Sequence, residues 1–535
     1  MKLIKSILFM MFLILLTTIV GCSSDSTNKD TPNDSGDNQN EEEETQTGGV
    51  LKIAIDAAPP TLDQPTSTTT ATRDASRLIF ETLITTNSDF EAIPMLADSV
   101  DISDDGKTYT FNLRQGIKFH NGKEMIAEDV VASMERWLEK STITGNVFND
   151  SKWTIVDDYT VNLELQEPSS ITLDTMASAK TAPAIMPKEI IDAAPEEGVD
   201  EYIGTGPFKL VEWKTDQYIH YEKFDDYSPV DFEADGLSGK KEALVDEIFI
   251  YIVPDTSTRL AGLQTGEYDF AYGVSYDSYD QLQEDPNLEP ILAPSANAVI
   301  VFNKQKGIAS DAAFRRAVNT ALDAEKVMMG AFPNPDFFWL DAGYMDINIK
   351  RWASQAGSEF YNQADPEKAK QMLEEMGYNG EEFRLMATRD YDHHYNTAVV
   401  IHEQLQQIGI NSKLEVYDWP TVTERNGDPD VWEAYITTFS TVSTPPQLLH
   451  VSPKAKGSIP EPYMDDRMLA LETAPTEEEG FALWEEIQQF AWEEYVPVVQ
   501  FGGFNSLYGV NKKVEGITIN TGPIFWNVTV SEGAD

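Results

Sequence analysis

His393, His394 and His402 fall within ten positions, and imidazole is the commonest ligand for transition metals. His402 and Glu403 open in the manner of a zinc-protease helix, but position 406 is Gln406, so two imidazoles never share one helix face and no metal site is expected. Ser275, in the run Gly273, Val274, Ser275, Tyr276, Asp277, lacks the second glycine of a nucleophile elbow. Gly204, Thr205 and Gly206 lack the third glycine of a dinucleotide fingerprint, and no phosphate-cradling glycine loop precedes Lys123 or Lys240. The expectation is therefore no catalytic residue, no cofactor and no enzyme. Recognition chemistry remains. Arg389 sits with Tyr391, Tyr395 and two histidines in a glycine-free loop after an apparent strand, where it either clamps a carboxylate bidentately or pairs locally with Asp390. Trp419, Phe439 and Trp526 have the size to wall a binding cleft or to fill a core.

Strand and helix periodicities must position these groups. Val50, Leu51, Ile53 and Ile55 make a short strand halted at Pro59 and Pro60. Tyr109, Phe111 and Leu113 alternate with polar residues behind the turn Asp104–Gly106, and Val130, Met134 and Trp137 share a helix face before a strand through Val161, Leu163 and Leu165. Val245 to Val253 reads as strand, Asp255 to Leu263 as helix closed by Gly266, and Phe314, Ala317, Val318 and Ala321 as a helix face. Asp365 and Pro366 cap a helix stopped by Gly377; Phe383 to Ala387 reads as strand, Val399 to Ile408 as helix, and Leu414 and Val416 as strand. Thr476 and Glu479 have capping-box spacing before the last helix. Such alternation implies α/β lobes, and 535 residues exceed one compact core, so two lobes are expected.

The charge balance narrows the partners. With 90 Asp and Glu against 39 Lys and Arg, a net charge of -51 repels nucleic acid and anionic membrane surfaces. Lys2 and Lys5 precede an apolar run from Ile7 to Val20 that is too short for a comfortable span and reads as a signal peptide over 1–21. The run ends at Cys22, the only cysteine in the chain, in a setting that resembles the lipobox of bacterial lipoproteins. That resemblance implies cleavage before Cys22, a lipidated (palmitate-bearing) N-terminus and anchoring at the extracytoplasmic face of the bacterial membrane. From 22 to 48 the chain is polar, with Glu41 to Glu44 in a row, and reads as a flexible tether.

Taken in series, several segments resemble the dipeptide, oligopeptide and nickel group of extracytoplasmic solute-binding proteins of ABC transporters, solute-binding protein family 5. They are Pro59 to Asp63; Ser103 to Arg114 with Gly116, Lys118, Phe119 and His120; Ala127, Asp129 and Val130; Gly204 to Phe208; Asp246 with Pro254 and Asp255; Leu263, Gln264, Gly266, Glu267 and Asp269; Phe314 to Val318; and Asp365 to Gly377. The resemblance spans nearly the whole chain after the tether. It implies a two-lobed periplasmic-binding-protein-like α/β fold of the class II type: lobe I from 49–85, 170–295 and 505–535, an inserted subdomain at 86–169, and lobe II at 296–504. It implies a monomer that captures a peptide or similar polar solute between the lobes and delivers it to a permease and its ATPase. In peptide-binding relatives an aspartate on the strand near Tyr435 to Pro445 commonly meets the ligand's α-ammonium. Here that stretch is Thr438, Phe439, Ser440 and Thr441, which hydrogen-bonds but carries no charge. These four, with Phe302, Asn303, Arg389, Tyr391, Tyr395, Trp419 and Trp526, are the expected ligand contacts. A non-peptide solute (an oligosaccharide, an opine or chelated nickel), a sensing receptor on the same fold, and a polymer hydrolase with paired carboxylates remain open alternatives on the sequence alone.

Overall fold

The computed structural model describes residues 47–453 and 455–531. The signal segment, Cys22 and almost all of the tether lie outside the described residues. The chain is tied down from Gly48, whose amide donates to the Leu244 carbonyl at 2.6 Å.

Apolar, β-branched Val50–Ile55 runs parallel to Glu247–Ile252 in the register Val50↔Glu247 to Ile55↔Ile252, and parallel to Phe270–Ala271 on its other edge. Antiparallel Tyr218–Lys223 and Phe208–Lys214 complete this side of the sheet. The crossover between Glu247–Ile252 and Phe270–Ala271 is the helix Thr256–Thr265. Asp255 caps its start by accepting from the Thr258 amide at 2.7 Å, and Gly266 ends it in the left-handed region at φ 76°.

On the other side, Glu382–Thr388 runs parallel to Asn411–Tyr417 and to Ala434–Ser440, with the helices Asp392–Gln407 and Trp419–Arg425 as crossovers. The helix expected from Val399 begins already at Asp392. Its first turns carry imidazole, tyrosine and asparagine rather than aliphatic side chains, so the apolar stripe shows only farther along. Tyr395 and both adjacent histidines therefore stand on a helix, not in a loop.

Two long strands belong to both sides. Leu288–Phe302 and Val498–Asn511 pair antiparallel from Leu288↔Asn511 to Val301↔Val498, and they carry the sheet from one lobe to the other. Their register breaks between Pro294 and Ala296 and again between Ala298 and Val299. Bulges bend a strand and increase its twist, and this ribbon runs between the core around Ile53 and Phe270 and the core around Phe302 and Leu385.

A second sheet, in the order Ala97–Ile102, Thr108–Leu113, Thr160–Glu164, Lys152–Asp157, packs the helix Ala127–Lys140 through Phe111, Trp137, Trp153 and Leu163. Loops and the short helix that follow it reach across to the second lobe. The Ser170 amide donates to the Ala474 carbonyl at 2.9 Å, Arg351 donates to the Ser170 carbonyl at 2.9 Å and pairs with Asp174, and Asn146 Nδ2 donates to Glu472 at 2.6 Å. The two lobes are thus closed on each other.

Candidate functional site

In parallel α/β sheets ligands collect beyond the carboxyl ends of the strands. A narrow gap of about 20 Å³ lies between Ser67 to Thr70, Arg73 and Lys180 of the first lobe and Ser440 to Ser443 of the second. Its walls are rich in hydroxyls, and among the described residues no carboxylate lines it.

The cationic wall has a clear construction. Arg73 donates to Asp74 at 2.7 Å, Arg77 approaches the same carboxylate at 3.2 Å, and Tyr272 donates its hydroxyl to it at 3.2 Å. Arg77 also donates to the carbonyls of Asn520 and Thr521, both at 3.4 Å. Burial, opposed by Asp74, brings the Arg77 guanidinium down to about 10. Gly522, at φ 118°, lets this loop close over the arginine: a Cβ there would stand 2.4 Å from an Arg73 guanidinium nitrogen. Lys180 comes from a loop held by the helix Ala127–Lys140, where Trp137 Nε1 donates to the Thr181 carbonyl at 2.7 Å and Thr181 takes a strained φ of 50°. Burial, and then Arg73, lowers the Lys180 ammonium below its ordinary value.

A second group of expected contacts gathers on lobe II beyond the strand Glu382–Thr388. Tyr391, 41% exposed, lies 5.9 Å from Trp419 and 5.1 Å from His394, ring to ring. Burial, and then the negative charges of Asp56 and Asp390, raise the Tyr391 hydroxyl above its ordinary value. Arg389 is bound to its own neighbour: it donates to the Tyr395 hydroxyl at 3.0 Å with its guanidinium 4.4 Å above that ring. Asp390 instead accepts from the Trp419 amide at 2.6 Å, so the local Arg389–Asp390 pair does not form.

Against known proteins, the profile described as "Bacterial extracellular solute-binding proteins, family 5 Middle" matches residues 91–457. The chain belongs to this family. A probable peptide ABC transporter periplasmic-binding protein, y4tO, of Sinorhizobium fredii is 30% identical over 487 residues, covering 87% of this chain and 90% of that one. Oligopeptide-binding protein AppA of Bacillus subtilis is 28% identical over 450 residues, covering 77% and 78%. Among solved structures, the periplasmic binding protein DppA from Helicobacter pylori in complex with the peptide STSA superposes with a TM-score of 0.76 at 24% identity, over 91% of this chain and 99% of that one. The PBP AgaA from A.tumefacien R10 in complex with agropinic acid does so with a TM-score of 0.76 at 25% identity, over 91% and 99%. The two-lobed fold is common to them.

In this family 5 protein the remaining expected contacts scatter. Ser440 and Thr441 line the gap, and Thr441 donates its hydroxyl to Asp346 at 2.6 Å. Thr438 and Phe439 lie one step back on the same strand, paired with Ala298 and Asn297. Phe302 and Asn303 are fully buried inside lobe II: Phe302 is core, and Asn303 donates to the carbonyls of Pro429 at 2.8 Å and Trp432 at 2.9 Å. Trp526 is 3% exposed in the core of the first lobe, with Lys241 Nζ 4.7 Å from its ring. All three side chains are buried, and none lines the gap. His402 pairs with Ser412 Oγ at 2.9 Å, and among the described residues no group of three or more His, Cys, Asp or Glu is arranged to hold a metal. Arg73 and Lys180, which line the gap, were missed by sequence reasoning, and no local signal marks either.

His450 lies behind Phe439, 5.0 Å ring to ring and 5.2 Å from Tyr344, with neither ring nitrogen hydrogen-bonded. Burial, and then Lys304, pushes it down to about 3. A base with a depressed folded pKa favours the neutral form, so its contribution to stability is complete above the unfolded value of about 6.5 and is lost as pH falls toward the folded value. His450→Leu is therefore expected to gain about 2 kcal/mol on the wild type between about pH 8 and pH 5, measured by urea unfolding. Parallel pH profiles for the two proteins would contradict the assignment.

Proposed function

We propose that this chain is the lipid-anchored, extracytoplasmic solute-binding component of an ABC importer, which captures a short peptide between its lobes and passes it unchanged to a permease and ATPase. The observation that carries the reading is the hydroxyl-lined, charge-flanked gap between two lobes joined by a bulged two-strand hinge. Peptide-binding names among the relatives support the ligand class. In this reading lobe I comprises 49–85, 170–295 and 505–535, the inserted subdomain 86–169, and lobe II 296–504, and the protein acts as a monomer without catalytic activity. The ligand gains contacts from both walls only on closure, which is what shifts the population toward the closed form.

The test is thermal unfolding of the full chain with a pool of random tri- to pentapeptides. A ligand at a hundredfold excess over its Kd stabilises by about 2.7 kcal/mol, so a clear rise in Tm is expected. A flat response across the pool would exclude peptides. Mass spectrometry of the recovered pool should find the bound peptides uncleaved, and palmitate labelling should tag the wild type but not Cys22→Ala.

A further inference from the structure

One face of the helix Ala127–Lys140 walls an open groove of about 580 Å³, and the short helix Lys188–Ala193 with the turn after it forms the opposite wall. Glu128, Val131, Ala132, Glu135 and Glu139 fall at i, i+3, i+4, i+7 and i+11, a spacing that brings side chains onto one side of a helix. Val131, Ala132, Ile191 and Ala194 are half-buried along the groove. Ile155 enters it from Lys152–Asp157, the edge strand of the four-stranded sheet, and is 48% exposed; Val156 beside it is 57% exposed. Large apolar side chains on an open edge strand are a surface that invites a partner.

The rims are acidic beyond what the groove itself neutralises. Glu128, Glu135, Glu139, Asp192 and Glu196 line it against three cations. Arg136 is spent on the buried Asp63. Lys140 pairs with Glu139 at 2.9 Å, and Lys188 with Asp192 at 2.7 Å. Among the described residues Glu128, Glu135 and Glu196 have no ion-pair partner. Carboxylates alone would only solvate this surface, as they do elsewhere on a chain of net charge -51. An apolar floor between acidic rims differs, because it leaves Val131, Ile155 and Ile191 in contact with water while the rims repel every anionic partner. The groove is too open to enclose a small solute, and its helical walls suit a further helix laid along them. Glu128 and Glu135 stand two turns apart, about 10 Å along the axis, so cations that meet them repeat every seven residues.

We infer that this groove docks a basic amphipathic helix of a partner protein, with its apolar stripe on Val131, Ile155 and Ile191 and its Lys or Arg side chains on Glu128, Glu135 and Glu196. No residue lines both this groove and the gap between the lobes, so the inference does not depend on what the gap binds.

The experiment uses the full chain and, as probe, an N-acetylated, C-amidated five-turn helical peptide with a leucine stripe flanked by lysines at seven-residue spacing. Calorimetry reads affinity, and a photoreactive group on the leucine stripe reads position. The wild type should bind, with cross-links in Ala127–Lys140 or 188–196. Glu128→Gln with Glu135→Gln, and separately Ile155→Gln, should weaken binding at least tenfold at an unchanged Tm, while Glu128→Asp with Glu135→Asp should still bind. Asp280→Asn with Glu284→Gln removes the same charge from exposed positions on another helix and should leave the affinity unchanged. No binding by the wild type overturns the inference, as do cross-links at Ser440 to Ser443 or an equal loss in the Asp280 and Glu284 variant, which would make net charge the whole attraction. Displacement of the peptide by equimolar spermine would assign the groove to small polycations. A dimer in sedimentation that the Glu128 and Glu135 variant abolishes would assign it to a second copy of this chain, and either result overturns the inference.

Discussion

Asp63→Ala is expected to cost about 3–5 kcal/mol of folding stability, the usual penalty for stranding one partner of a buried ion pair. Asp63 is fully buried and accepts both guanidinium arms of Arg136, one at 2.9 Å, as well as the Val199 amide at 3.1 Å. Arg136 rides on the helix Ala127–Lys140, so the pair fastens that helix to the segment that follows the strand Val50–Ile55. Removing the carboxylate leaves a guanidinium, only 7% exposed, with no counter-charge. The check is the urea midpoint of the single variant beside that of Asp63→Ala with Arg136→Met. The double variant should recover part of the loss because the stranded charge is gone. A single-variant loss below about 1 kcal/mol, the range of exposed pairs, would mean that the pair is solvated.

Gly502→Ala is expected to be nearly as damaging although it adds a single methyl group. Gly502 sits in the hinge strand at φ 147°, and a Cβ there would stand 2.1 Å from the Trp339 carbonyl oxygen. Backbone cannot yield as a flexible side chain would, and the hinge strands pair tightly on both sides of the contact. A cost of about 3 kcal/mol follows from overpacking and backbone strain together, read as a fall in Tm. An unchanged Tm would show that the strand Phe338–Trp339 does not press on the hinge.

The sequence made the architecture legible wherever a local signal coincided with a packing need. Thr108–Leu113 forms a strand because its alternation buries Tyr109, Phe111 and Leu113 on one face. Pro366–Glu375 starts where Asp365 accepts from the Lys368 amide and Pro366 presets the first turn. The start of Asp392–Gln407 was obscured because its first turns face a nest of rings rather than an aliphatic core. The site was less legible, for a physical reason. Arg73 and Lys180 line the gap only because the fold brings their loops together, a property of three-dimensional surroundings; in the chain they are two of 39 Lys and Arg. Phe302 and Asn303, expected at the gap, are buried away from it. They end a strand that feeds the cleft, but side chains at its end turn inward, and no periodicity distinguishes core-facing from cleft-facing at a strand terminus.

What unifies these observations is closure of two hinged lobes on a bound molecule, and small-angle X-ray scattering reads it most directly. The full chain should contract, with a smaller radius of gyration, when the free-terminus peptide pool is added at concentrations that raise its Tm. An unchanged scattering profile under conditions where calorimetry shows peptide bound would contradict capture between the lobes.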